Sequence, residues 1–207
     1  MSRSRKPEPK RPIDTVSSAV GRILDAALAL ITKRGDAHVT MAQIGRAARV
    51  SRQAVYLHFA DRAELMVALA RHLDAELGLP AEIQRIADAT SGAEQVVAMV
   101  SLQARTNPSL WAVARAVDAV RRTDPAADRA WQDRLDARLA GCRHIAARLE
   151  SEGNLEAGLD ASSAADILWT ITSLRTWEDL VLGRGWSPQK YQRHVTRFLL
   201  ATLTRGA

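Results

Sequence analysis

Three helix-start signals fall between Thr40 and Arg62, in the stretch TMAQIGRAARVSRQAVYLHFADR, and they constrain the fold more than anything else in the chain. Thr40 and Gln43 have capping-box spacing: the hydroxyl accepts an orphan N–H of the first turn and the amide reaches back to the cap. Met41, Ile44, Ala47 and Ala48 then fall on one helical face. Ser51 is a second N-cap ahead of Ala54, Val55 and Tyr56, and Asp61 with Glu64 repeats the box at the start of a further helix. Caps so closely spaced predict very short helices, which bury too little to stand alone and must lean on neighbours. Two short helices joined by a tight turn suit a helix-turn-helix, whose second helix enters the DNA major groove.

On this reading Ser51, Arg52, Gln53 and Ala54 sit at the N-terminal end of the recognition helix, where base edges are read. Arginine pairs bidentately with guanine and glutamine with adenine. The Ser51 hydroxyl and the free N–H groups of its turn can hold a phosphate. The span from about Arg22 through Leu65 resembles the tetracycline-repressor (TetR) family of bacterial regulators. The likeness is carried by RILDAALALITKRG, the threonine before the second helix, the Val50-Ser51 turn, the ordered Tyr-x-His-Phe of YLHF, and Asp61-Arg62 before Leu65. It implies that Tyr56 donates its hydroxyl to a phosphate, and that His58 contacts the DNA backbone or packs against the head. It also sets Arg62, where the family usually has lysine, at the start of the fourth helix. A core role for Tyr56 and a solvated charge at Arg62 are the plainer alternatives. The expected DNA-contact set is therefore Thr40, Ser51, Arg52, Gln53, Ala54, Tyr56, His58 and Arg62. Two positions depart from the family pattern. Arg49 replaces a common turn glycine and should cost roughly 1 kcal/mol in left-handed backbone. Gly45 replaces a small alanine and permits close helix packing.

The charge distribution agrees with a nucleic-acid surface near the N-terminus. Residues 1–60 hold eleven Lys/Arg against four Asp/Glu, a net of +7, whereas residues 61–207 hold eighteen against nineteen, a net of −1. Concentrated positive charge is the electrostatic footprint of a phosphate-binding face. Residues 1–14, with three prolines and five basic side chains, read as a disordered basic arm. Such arms can enter the minor groove, so Arg3, Arg5, Lys6, Lys10 and Arg11 are candidate contacts; a tail that only aids solubility is the bland alternative.

Punctuation elsewhere predicts an all-α chain of 207 residues: an N-terminal three-helix head over 15–62 and a larger helical ligand-binding and dimerisation domain over 63–207. Aromatics are only 4% and no β-branched alternation of useful length occurs, which disfavours sheets. Helix one should run from Thr15 or Val16 to Lys33, stopped by Gly35, and the fourth from Asp61 to about Glu76. Ala81–Ala87 is a short candidate. Ser91 with Glu94 should open a helix that Asn107-Pro108 breaks, with another following to about Arg121. Asp124-Pro125 should start a long helix carrying Trp131, Leu135, Leu139, Cys142, Ala146 and Leu149 on one face, stopped at Gly153-Asn154. Asp160 or Ser162 should open a single helix to about Leu182, and Ser187-Pro188 the last, through Leu203.

In the resembling family the last two helices meet their symmetry mates in a four-helix bundle. The resemblance therefore points to Ile167, Ile171, Leu174, Val181, Val195, Phe198 and Leu199 as a homodimer surface, against the alternative of a stripe that closes its own domain. Two-fold pairing doubles the DNA site a single short helix can read. All five tryptophans lie in the C-terminal part. They are plain core, or else Trp111, Trp131 and Trp169 with Met99 and Leu102 line a cavity for a small apolar or aromatic effector.

Catalysis and cofactors find no support in the residue pattern. None of His38, His58, His72, His144 and His194 sits in a zinc-type pair. No nucleophile elbow, dinucleotide fingerprint or Walker pattern occurs. Cys142 is the sole cysteine, so no disulfide framework forms. No metal, cofactor, signal peptide or membrane span is expected, and a reducing cytoplasm fits. The reading is a DNA-binding regulator, most simply a ligand-responsive repressor of a palindromic operator. An all-α adaptor using the helix-turn-helix as scaffold, and a helical-bundle enzyme around the tryptophans, are the alternatives.

Overall fold

The computed structural model describes residues 12–34 and 39–205. The basic arm through Arg11, the Gly35 stop and His38 lie outside the described residues. The head comprises α1 (Pro12–Arg34), α2 (Met41–Ala47) and α3 (Arg52–His58), followed by α4 (Arg62–Glu76). The body comprises α5 (Leu79–Ala87), α6 (Gly92–Arg121), α7 (Pro125–Ser151), α8 (Ala161–Ile171), α9 (Leu174–Trp177), a π-helical segment (Glu178–Gly183) and α10 (Pro188–Leu203).

Each start rests on local chemistry. Thr40 and Gln43 form both arms of their capping box: the hydroxyl accepts from Gln43 N–H and the Gln43 amide oxygen accepts from Thr40 N–H at 2.8 Å. Ser51 caps α3 by accepting from Ala54 N–H at 3.0 Å. Asp61 accepts from Glu64 N–H at 2.8 Å, while Glu64 reaches one residue further back than the standard box, to Ala60 N–H at 2.7 Å. Ser91, Asp160, Ser173 and Ser187 cap their helices in the same way. Gly153, at φ 67°, ends α7, and Asn154 N–H returns to the Leu149 carbonyl at 3.0 Å, as in a Schellman stop.

Two buried clusters result. The first joins α1 to α4 with the C-terminal half of α6, around Ile23, Ile31, Ile44, Leu65, Met66 and Leu69, all fully buried. Each such side chain contributes about 1.5–3 kcal/mol of burial free energy. The second joins the N-terminal half of α6 to α7, α8, α9 and α10, around Leu149, Leu168, Tyr191, Leu199 and Leu203. Trp111 packs against both clusters. Close approach of α6 to α7 requires Gly92: a Cβ there would lie 2.8 Å from the Leu149 side chain and 3.0 Å from its backbone nitrogen.

Four expected boundaries move. Helix α1 begins at Pro12, ahead of Thr15, proline being suited to a first helical turn. Helix α5 begins at Leu79, ahead of Ala81. Asn107-Pro108 does not break the chain: α6 continues through Pro108 to Arg121. Proline costs a helix interior about 3 kcal/mol or more, but Val96, Val100 and Ala104 on one side and Ala112, Val113 and Ala116 on the other are all buried and hold both halves in register. Conversely, the single helix expected from Asp160 to Leu182 is broken. The Thr172 hydroxyl donates to the Leu168 carbonyl at 2.6 Å, and Ser173 caps the next turn by accepting from Thr176 N–H at 3.1 Å. Hydroxyl side chains compete with the helical ladder in this way. The chain then runs through a π segment.

Candidate nucleic-acid interface

Helix α3 is a seven-residue helix with one anchor: Val55 is its buried residue. Ser51, Arg52 and Gln53 are exposed, and Tyr56 is 41% exposed. The Arg52 guanidinium lies 5.4 Å from the Tyr56 ring centroid, so both side chains stand on one outer face. Ala54 and His58 are half-buried on the flanks, and Phe59 rather than Tyr56 supplies the head's buried aromatic. Thr40 is exposed at the start of α2 and Arg62 half-buried at the start of α4. The solvated tip of α3 thus offers a guanidinium, an amide, a hydroxyl and a helix N-terminus, which together can read base edges and hold phosphate.

The turn that sets this face is tight. Gly45 is buried against it: a Cβ there would meet the Val50 carbonyl oxygen at 3.1 Å and Val55 Cγ2 at 3.3 Å. Arg49 takes φ 57°, the left-handed conformation that the missing turn glycine implied.

Helix α4 carries the head onto the body. Its Asp74 pairs with Arg134 of α7, one of the two contacts measuring 2.9 Å, and its His72 Nε2 lies 2.8 Å from Asp25 Oδ1 of α1. Where α4 meets the start of α7 there is a cleft of about 410 Å³ lined by Phe59, Glu64, Arg71, Asp124 and Arg129 among others. A second groove, about 640 Å³, lies between α6 and α10 with Val97, Arg193, Thr196 and Arg197 in its wall. Neither is lined by the five residues expected around an effector cavity. Of those, Leu102 is buried, Met99, Trp111, Trp131 and Trp169 are half-buried, Trp131 packs with the first cluster and Met99 and Trp169 with the second.

Arg138 is the residue that the sequence reading missed in this region. Its guanidinium lies 4.6 Å from the Trp169 ring centroid and donates to the Trp169 carbonyl at 2.7 Å. Burial pulls its pKa down, and burial pushes the Cys142 thiol up. The signal was present: Arg138 follows Leu135 by three residues and precedes Cys142 by four, so it shares the inward stripe of α7.

The expected assembly residues divide. Val195 and Leu199 are buried in their own domain and are not available to a partner. Ile167, Ile171, Leu174 and Val181 are half-buried, and Phe198 is 51% exposed; Leu182, absent from the expected set, is 50% exposed.

These features define an all-helical protein with a helix-turn-helix head on a larger helical body. Residues 23–69 match the family model described as bacterial regulatory proteins, tetR family. An uncharacterized HTH-type transcriptional regulator of Mycobacterium tuberculosis is 35% identical over 95 residues, 44% of this chain and 46% of that relative, so the match spans just under half of its length. Among solved structures, a protein of Saccharomonospora viridis described as a transcriptional regulator, in complex with choline, superposes with TM-score 0.78 at 21% identity over 91% of this chain and 99% of that one. NalD of Pseudomonas aeruginosa, the secondary repressor of the MexAB-OprM multidrug efflux pump, gives 0.69 at 21% over 94% and 100%. FadR of Bacillus subtilis, in complex with stearoyl-CoA, gives 0.68 at 16% over 87% and 97%. At these identities the structural likeness establishes the fold. Among the described residues no helix is long and apolar enough to cross a membrane.

Proposed function

We propose that the chain is a cytoplasmic transcriptional repressor that binds a pseudo-palindromic operator as a homodimer and releases it when an effector enters the body. The observation that carries this reading is α3: a short helix anchored through Val55, with Arg52 and Gln53 free at its N-terminal tip. Arg52 and Gln53 read bases, Ser51 and Tyr56 engage phosphates, and Thr40, Ala54, His58 and Arg62 flank the contact. The dimer is supported by the apolar exposure of Phe198 and Leu182 on the last two structural elements. Effector control is supported by α4 and α6, which reach from the head into the body.

Footprinting on the DNA upstream of the coding sequence tests the reading. Two protected half-sites about one helical turn apart, or a multiple of it, are expected. Arg52→Ala should relax base preference within each half-site. Tyr56→Phe should weaken binding to all sequences alike and leave the salt slope nearly unchanged, because a neutral hydroxyl displaces no counterion. Retention that depends on salt but shows no sequence preference would overturn the proposal in favour of a merely basic scaffold.

A further inference from the structure

The outward face of α3 carries one apolar side chain among its polar ones. Leu57 is 79% exposed, the most exposed of the large apolar side chains among the described residues. Scattered surface leucines are ordinary, but this one holds a fixed place on a fixed face. Successive helical residues turn by about 100°, so Gln53 and Leu57, two residues either side of the buried Val55, both point within about 20° of the direction away from the core. Arg52 and Tyr56 lie beside them, and the guanidinium 5.4 Å from the Tyr56 ring centroid shows that side chains one turn apart meet on this helix. Ala54 and His58 fall on the other side and are half-buried.

The helix is short enough for the whole of this face to stay inside a groove. Its 7 residues rise about 10 Å, and the major groove is roughly 12 Å wide. Leu57 follows Gln53 by one turn, about 6 Å along the helix axis. That is less than two base-pair steps of about 3.4 Å each.

The chemistry of the groove selects what Leu57 meets. Ring nitrogens, carbonyl oxygens and amino groups line the groove floor. A leucine laid over any of them displaces its water and returns no hydrogen bond, which costs free energy. The thymine C5-methyl is the one apolar group displayed there, and burying it against a leucine removes apolar surface from water on both sides. We propose that Leu57 is a specificity-determining residue that packs on a thymine C5-methyl, within two base pairs of the adenine that Gln53 reads. The inference rests on α3 being the helix that reads DNA, and it adds to that reading a demand for thymine at one position of each half-site.

Duplexes enriched from a randomised pool by the full wild-type chain test the contact. In the enriched duplex each thymine is replaced in turn by deoxyuridine, which keeps the O4 acceptor and removes only the methyl. Replacing one particular thymine of a half-site should lower affinity about 3- to 5-fold, the range for one buried methyl. Leu57→Ala changes an exposed position, so its Tm should match wild type, and it should bind the thymine and deoxyuridine duplexes alike. Gln53→Ala locates the neighbouring adenine through the A·T pair whose preference it relaxes. The proposal is overturned if Gln53→Ala relaxes no A·T pair, or if no thymine within two base pairs of that adenine responds to deoxyuridine. It is also overturned if the response survives in Leu57→Ala, or if Leu57→Ala weakens binding while deoxyuridine does not, which would set the leucine against sugar. A pool that yields no enriched sequence would remove the reading of α3 itself. An enriched sequence without the methyl response would remove the role of Leu57 alone.

Discussion

Arg49 keeps a left-handed backbone at φ 57° with a full side chain in place of a glycine, and it does so in the turn that aims α3. Left-handed backbone costs an ordinary L-residue roughly 1–2 kcal/mol, because Cβ crowds the following carbonyl. Arg49→Gly removes that strain but adds freedom to the unfolded chain, which offsets part of the gain. Urea denaturation should therefore show the variant more stable by up to about 1 kcal/mol. If Arg49 also touches phosphate, the same variant binds its operator more weakly and with a shallower salt dependence. A variant that is less stable than wild type would mean that the side chain contributes packing that outweighs the strain. The strain was legible in the sequence, since it follows from a residue type at a turn. The placement of Arg138 was not: an isolated arginine on a helix is ordinarily solvated, and only the approach of α8 sets it against Trp169 and Thr172.

Among the elements, helix starts with a cap at the expected spacing were readable because caps are local: Thr40, Ser51, Asp61, Ser91, Asp160 and Ser187 all accept the N–H that spacing assigns them, whereas α5 starts without a side-chain cap and α9 starts at Ser173 inside an expected helix. Helix interruptions were not, because they are decided by tertiary burial. Pro108 is exposed inside α6 and denies the Ala104 carbonyl its usual donor. Pro108→Ala restores that donor and should raise stability by up to about 3 kcal/mol, read as a higher urea midpoint at unchanged m. An unchanged midpoint would show that the helix has already relaxed around the proline. The caps also predict how the body responds to acid. Hydrogen bonds from Thr90 to Glu94, from Arg148 and Gly92 to Glu152, and from Ser163 to Asp160 hold these carboxyls below their ordinary values of 4.5, 4.5 and 3.8. Their folded pKa values lie below the unfolded ones. The stability they add is thus complete above the ordinary carboxylate range and is lost as pH falls through and below it. Tm should decline between about pH 5 and pH 3, and Glu94→Gln should show a smaller decline over that window. An identical slope in the variant would remove Glu94 from the account.

At the scale of the whole molecule, α6 is shared between two buried clusters, its N-terminal half serving the body and its C-terminal half the head. The head and the body are therefore one packed unit, and the remaining apolar surface faces outward. The stripe expected to join two copies was read as one face, but burial splits it: Val195 and Leu199 complete their own core while Phe198 and Leu182 remain half exposed. Helical periodicity marks which residues are apolar together, not whether the second surface they meet belongs to the same chain. The division gives a clean experiment. Leu182→Glu with Phe198→Glu places charge on two exposed positions, so far-UV circular dichroism and Tm should stay close to wild type. On the proposed assembly, sedimentation should then report a monomer, against a dimer for the wild type. A lone head engages one half-site, and loss of linkage between two heads typically costs 10²- to 10⁴-fold in affinity, so operator binding should fall by about that much. Val195→Glu, by contrast, buries a carboxylate in the body and should unfold it. A double variant that remains dimeric and binds the operator normally would move the assembly surface away from α10 and the π segment.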